Sequence, residues 1–241
     1  MSDVPLDVFA VGAHPDDVEI ACGGTLAKLA KQGHRVGILD LTDGEPTPES
    51  PGPETRLAEA RRAADMLGAV RRVTLDLPNR RLFDTFEARA ALATEFRRFR
   101  PRLVIGIGGE TPTASPDHRQ ASLIIEAAAF YSKLTKWDAH FAGLPPYVIP
   151  RRLECFLSFD MVFPSQRHTI VVDIGDTLEK KMAAIGVYAS QFPPSKADQL
   201  ERIRALAVQQ GMAAGFAAGE TLASPTVWGV GDLMGLLFAS S

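Results

Sequence analysis

Three features of the sequence predict an α/β fold with a mostly parallel sheet flanked by helices. Short apolar runs rich in β-formers recur at 8–12, 36–41, 73–77 and 103–107. Segments of helical periodicity lie between them, the first two closed by Gly33 and Gly68. The long loops, rich in proline and glycine, leave the carboxyl ends of these runs, where α/β sheets bind ligands. Strand and helix in strict alternation imply parallel pairing through right-handed crossovers. No linker or shift of composition divides the 241 residues, so a single domain over 1–241 is expected.

The first strand, 8–12, reads as buried on both faces and leads into Ala13-His14-Pro15-Asp16-Asp17-Val18-Glu19. Cys22-Gly23-Gly24-Thr25 and then Leu26, Leu29 and Ala30 continue as a helix to Gly33. One histidine and two aspartates therefore sit on a turn that Pro15 stiffens. Imidazole and carboxylate suit a borderline metal such as zinc. An aspartate before a helix also caps it, and a capped turn is the plainer reading of the same residues.

The second strand, 36–41, feeds a loop that is proline- and glycine-rich from 46 to 53. A helix follows from about Glu54, with Leu57, Ala60, Ala64 and Leu67 on one side. Arg56 lies in its first turn, against the helix dipole. It faces an anionic substrate, a carboxylate partner or solvent. The third strand, 73–77, stops at Pro78, and a helix spans 85–98. The arginine-rich run 97–102 is read as cations at a helix C-terminus.

After the fourth strand comes a loop ending in Ser115-Pro116-Asp117-His118, then a helix over 119–133. Two loops at neighbouring strand ends can bring His118 to His14 and Asp17. Two histidines and one carboxylate leave coordination positions open, as in a catalytic zinc site. His34 is read as surface, whereas His140 and His168 lie in loops where either could line a pocket. The last third predicts strands at 155–159 and 169–174 and a helix through Leu178, Met182, Ile185 and Tyr188. Pro193-Pro194 separates this from a further helix over 196–216.

Composition excludes several classes of function. The net charge of −3 gives no electrostatic case for a nucleic-acid partner. No apolar run approaches a membrane span, and the N-terminus lacks a basic region and a hydrophobic signal core. Two cysteines do not make a disulfide scaffold. A cytoplasmic protein with no membrane partner is expected. The glycines from Gly12 to Gly24 do not match the dinucleotide fingerprint, so a nicotinamide cofactor is unsupported.

Several blocks together resemble the LmbE-like, or GlcNAc-PI de-N-acetylase-like (PIG-L), family of zinc-dependent deacetylases. They are Gly12 to Glu19, Cys22-Gly23-Gly24-Thr25-Leu26, Glu54-Thr55-Arg56 with Glu59-Ala60, and Asp117-His118. Val172-Asp173-Ile174, Glu179-Lys180-Lys181-Met182 and Tyr188-Ala189-Ser190-Gln191-Phe192 extend the likeness over most of the chain, while 224–237 matches only loosely. Within the family the nearest look is to the bacillithiol-biosynthesis N-acetylglucosaminyl-malate deacetylases.

The resemblance implies a Rossmann-like sheet and a Zn2+ ion, or another divalent metal such as Fe2+, held by His14, Asp17 and His118. It implies Asp16 as the general base, taking a proton from the water that zinc acidifies to a pKa of about 7. Asp16 would then protonate the leaving amine. Asp117 would orient or tune a ligand, and Arg56 and Ser115 would bind substrate. The expected substrate is an N-acetylated amino sugar or its conjugate, of N-acetylglucosaminyl type, and the expected assembly a homo-oligomer, trimer or hexamer.

One position departs from the family pattern. The second motif there reads His-Pro-Asp-His, and its first histidine stabilises the oxyanion; this chain has Ser115 instead. Losing one oxyanion donor costs on the order of 10²–10³ in rate. Three readings follow: His140 or His168 supplies the donor, the substrate differs, or the protein is a catalytically weak, metal-containing sugar-binding or regulatory protein.

Overall fold

A computed structural model describes residues 4–109, 111, 114–157, 169–229 and 231–232. Seven strands form one sheet: β1 (Val8–Gly12), β2 (Val36–Asp40), β3 (Arg71–Thr74), β4 (Leu103–Ile107), β5 (Arg151–Cys155), β6 (Thr169–Asp173) and β7 (Gly219–Ala223). Their order is β3-β2-β1-β4-β5-β7-β6. The first five pair in parallel, and β7 runs antiparallel between β5 and β6. Six helices accompany them: α1 (Asp17–Lys31), α2 (Pro53–Leu67), α3 (Phe86–Phe99), α4 (Asp117–Tyr131), α5 (Leu178–Gly186) and α6 (Ala197–Ala213). The predicted mostly parallel α/β class is the observed one. None of the described helices is long and apolar enough to cross a membrane.

The strand order places the site. From β1 the chain passes to β2 and β3 on one side, then returns to β4 on the other side of β1. The sheet thus reverses direction of growth at the β1/β4 pair, and a crevice opens outside their carboxyl ends. All five residues of β1 are buried, as its unbroken apolar run requires. Phe9 points into the α3 side of the core and meets Phe96 and Phe99 edge-on, with centroids 6.3 and 5.5 Å away. Full burial of such a ring stabilises the fold by roughly 1.5–3 kcal/mol.

Helix α1 is two helical pieces joined at Cys22, whose φ and ψ of −147° and 18° are not helical. The break frees main-chain N–H groups, and the buried Glu220 carboxylate of β7 accepts from Gly24 (2.9 Å) and Thr25 (2.6 Å). Lys181 of α5 neutralises that carboxylate at 2.7 Å. Gly24 has no alternative side chain here, because a Cβ would lie 2.7 Å from Ile174 Cδ1.

Some boundaries differ from expectation, each for a physical reason. Strand β7 is absent from the sequence reading because buried Glu220 interrupts its apolar pattern. The last helix ends at Ala213 rather than 216, because the chain turns there through Gly215, whose φ is 80°; Gly211 inside the helix lies against the β7 entry, where a Cβ would meet Ala218 at 2.4 Å. Strand β3 covers 71–74, not 73–77, and Arg72 at its start is held inside by Asp40 and Glu19. Helix α4 starts at Asp117, so His118 stands in its first turn. The part of the predicted 155–159 strand beyond Leu157 lies outside the described residues.

Arg97 and Arg98 stand in the last turn of α3, as read, but Arg97 also has partners that the reading did not foresee. It is fully buried and donates to the carbonyls of Ser132, Leu134 and Leu144 at 3.0, 2.5 and 2.6 Å. It also pairs with Asp138 at 2.8 Å and stacks on Phe141. Arg97 therefore fixes the chain between α4 and β5.

Candidate active site

The turn after β1 is built by Asp17. Its Oδ2 accepts from the main-chain N–H of Ala13 (2.9 Å) and His14 (2.8 Å), which precede the helix, while Asp16 at the N-cap makes no side-chain cap bond; the carboxylate thus closes the turn and the capped-turn reading does not hold. The other oxygen is left to face inward, where His118 Nε2 approaches Oδ1 to 3.3 Å. His14 Nδ1 lies 3.4 Å from Oδ2. The two imidazole centroids are 5.2 Å apart. One ligand atom each from His14, Asp17 and His118 falls within 4.8 Å of the other two. These side chains are only 12, 5 and 11% exposed.

This cluster fits a divalent metal by three tests. Two imidazoles and a carboxylate are a donor set for a borderline cation, with positions left open. Asp117 Oδ2 lies 3.3 Å from His14 Nε2, which turns Nδ1 toward Asp17, as a carboxylate behind a metal-binding histidine does. Among the described residues His118 keeps a buried Nδ1 with no hydrogen-bond partner, so they do not fully satisfy that ring.

Electrostatics bind the cluster together. Burial depresses the His14 pKa, but Asp17, then Asp117, reverse this and lift it to about 10. Burial likewise opposes ionisation of Asp17, and the two imidazoles overcome it, holding its carboxyl well below the usual range. Asp117 is also held low against burial, by His14 and by the main-chain N–H groups of Arg80 and Leu82.

Asp16 stands beside the cluster, in a backbone conformation unusual for a side-chain-bearing residue (φ 100°). Such positions cost of order 1–3 kcal/mol and concentrate at functional sites. Burial pushes its carboxyl up to about 6, against the pull of the Arg56 guanidinium. Arg56 Nη2 lies 3.1 Å from Asp16 Oδ2 and donates to Pro15 O at 2.5 Å. Arg56 is 2% exposed, and its guanidinium lies 5.2 Å from the Tyr188 ring centroid. Of the three settings expected for Arg56, a carboxylate partner is the one observed.

The sequence reading missed a charged layer directly beneath. Arg72 grips Asp40 through two hydrogen bonds of 2.8 Å and reaches Glu19 at 2.5 Å. Tyr188 OH donates to the same Glu19 oxygen at 2.6 Å. These residues tie β2, β3, α1 and the segment after α5 together under the His14 turn. The only sequence signals were Glu19 in the first motif and Tyr188 in the late block.

The weaker candidates resolve differently. Ser115 is partly buried, and its Oγ accepts from the Asp117 N–H at 3.3 Å, closing the turn that leads into α4; among the described residues its own hydrogen has no partner. His140 packs its ring on Phe86 and Trp137, at 5.2 and 5.3 Å. His34 is exposed, as expected, and His168 lies outside the described residues.

A seven-stranded α/β protein with a His-Asp-His cluster at the sheet's switch point carries it where open α/β sheets bind ligands. Residues 9–129 match the family model "PIG-L: GlcNAc-PI de-N-acetylase". The chain is 33% identical over 195 residues to the diacetylchitobiose deacetylase of Thermococcus kodakarensis, covering 77% of this chain and 70% of that one. A conserved protein of Thermus thermophilus has a similar structure, with TM-score 0.81, 33% identity, and 93% and 97% of the two chains covered. A 4-carboxy-2-hydroxymuconate hydratase from Pseudomonas putida shares the fold at 21% identity and TM-score 0.78, over 97% and 100% of the chains. The chain belongs to the PIG-L family.

Proposed function

We propose that this protein is a metal-dependent N-deacetylase acting on substrates of the N-acetylglucosaminyl type. One observation carries the reading: His14, Asp17 and His118 converge on one point with the Asp16 carboxylate beside it. His14, Asp17 and His118 would hold the metal, with zinc the expected ion and Fe2+ the alternative. When bound, such an ion polarises the amide carbonyl and acidifies water. Asp16 Oδ2 is held by Arg56, which leaves Oδ1 to take the proton from the attacking water. The water oxygen bonds to the acetyl carbon, the C–N bond breaks, and Asp16 returns its proton to the departing amine. The products are acetate and the free amino sugar. Arg56 positions Asp16, and Asp117 positions His14.

Purified protein is expected to carry about one divalent ion per chain. His118→Ala removes one of three ligands and drops the content to roughly a tenth or less at matched metal supply, measured by elemental analysis. Full metal content in His118→Ala would remove this residue from the ligand set. Release of amine from N,N'-diacetylchitobiose, lost on chelation, tests the activity itself.

Ser115 favours a second reading, a catalytically weak sugar-binding protein that keeps the metal. Under the enzyme reading, Ser115→His supplies a stronger oxyanion donor and raises turnover of N-acetylglucosamine about tenfold. Turnover that stays flat or falls means that another group already serves the oxyanion or that the substrate is a different one.

A further inference from the structure

A groove of about 430 Å³ opens at the far end of α4, between that helix, the approach to β5 and the segment after β7. His118 stands in the first turn of α4 and Phe130 near its end, so roughly 18 Å of helix separate the groove from the His-Asp-His cluster. The proposed reaction uses nothing here. Volumes of this order hold small organic ligands.

Phe130, Val148 and Val227 border the groove and are 54, 66 and 83% exposed. Apolar side chains left in water around one concavity mark a binding surface. Trp228 stands in the same wall, and its buried Nε1 has no hydrogen-bond partner among the described residues. An indole N–H held out of water costs free energy until an acceptor reaches it.

The charged residues of the rim are mostly cations: Lys133, Arg151 and Arg152 stand against one carboxylate, Glu126. Arg152 is partly compensated. It donates to the main-chain oxygen of Glu126 at 3.4 Å and opposes the rise that burial gives the Glu154 pKa. Lys133 and Arg151 are exposed, and neither has a salt bridge among the described residues. The Lys133 ammonium lies 4.6 Å over the Phe130 ring, and Arg151 donates to Pro150 O at 2.9 Å. Both contacts hold a charge at the groove without neutralising it. Apolar walls, an unmet donor and two free cations together call for an anion with an apolar body.

We propose that this groove binds an anionic amphiphile, a carboxylate or phosphate monoester on a single alkyl chain. The head group meets Lys133 and Arg151 and accepts from Trp228 Nε1, and the chain lies along Phe130, Val148 and Val227. The site stands or falls apart from the deacetylase reading.

Decanoate and decyl phosphate are the probes, with decanol and decyltrimethylammonium as neutral and cationic counterparts. Binding to the whole chain is followed by calorimetry and, in Trp137→Phe, by the emission of Trp228, which is then the only tryptophan. At least one anionic probe binds one-to-one below its micelle concentration, about tenfold tighter than decanol. Acetate and inorganic phosphate, heads without chains, bind at least about tenfold more weakly than the matching probe. In Lys133→Ala/Arg151→Ala the preference over decanol falls toward one, and Trp228→Phe weakens the anionic probe several-fold. Equal binding of decanol overturns the proposal, as does a preference that the double variant leaves unchanged. Binding that chelation abolishes places the head group at the metal cluster and overturns it too. Self-association of the chain that Val227→Asp disrupts, with no probe bound, assigns the groove to a second copy instead.

Discussion

Asp16→Asn abolishes measurable amine release and leaves the metal content at about one ion per chain: this is the expected outcome, and it separates chemistry from assembly. Asparagine matches aspartate in size and shape but cannot accept the proton at Oδ1. General acid–base catalysis contributes about 10²–10⁴ in rate, so the residual turnover falls to a thousandth or so. The metal cluster does not depend on this side chain, since His14, Asp17 and His118 converge without it. Arg56 loses its ion pair but keeps Pro15 O and its place over Tyr188. Turnover within a few-fold of wild type would strip Asp16 of its role. Loss of metal in the variant would show that Asp16 belongs to the ligand set instead. A thermal melt close to wild type confirms that the variant is folded.

The half of the fold that positions this site was legible in the sequence because its signals are local. The runs that became β1, β2 and β4 are buried on both faces, so their apolar residues are contiguous. Gly68 marked the end of α2 and takes the left-handed cap, with φ 83°. Thr85 marked the start of α3 and caps it by accepting from Ala88 N. The second half was read less well because its order depends on distant partners. β7 is stabilised inside the sheet by a Lys181–Glu220 pair separated by 39 positions, which no local pattern reveals.

The same division runs through the site. His14, Asp17 and His118 were legible because they sit on loops at strand ends, next to helix starts. Asp117 was legible too, and its Oδ2 lies 3.3 Å from His14 Nε2. What supports them was not. Glu19, Asp40 and Arg72 are charged residues in buried places, and charge in a sequence reads as surface. Arg80 was hidden for another reason: its backbone N–H, not its side chain, makes the contact to Asp117. Ser115 remains the informative departure, since its hydroxyl accepts from the Asp117 N–H where the family pattern has a histidine.

That buried support carries the largest expected effect on stability. Arg72→Met destabilises the fold by about 3–5 kcal/mol, read from denaturant midpoints at pH 8, because it leaves two buried carboxylates without their cation. Methionine fills the volume, so the cost is one of charge rather than of a cavity. The pH dependence distinguishes the two. Burial already raises the Asp40 pKa even with Arg72 in place. Without Arg72 that carboxyl rises further and binds its proton in the folded state, while in the unfolded chain it ionises near pH 4. A folded-state pKa above the unfolded value means stability present at low pH and lost as pH rises through that window. The deficit of Arg72→Met relative to wild type is therefore smaller at pH 5 than at pH 8. A deficit independent of pH would mean that lost packing, not the stranded carboxylates, sets the cost. Because Arg72 also grips Glu19, two residues along α1 from Asp17, the same variant weakens metal binding even under conditions where it is folded.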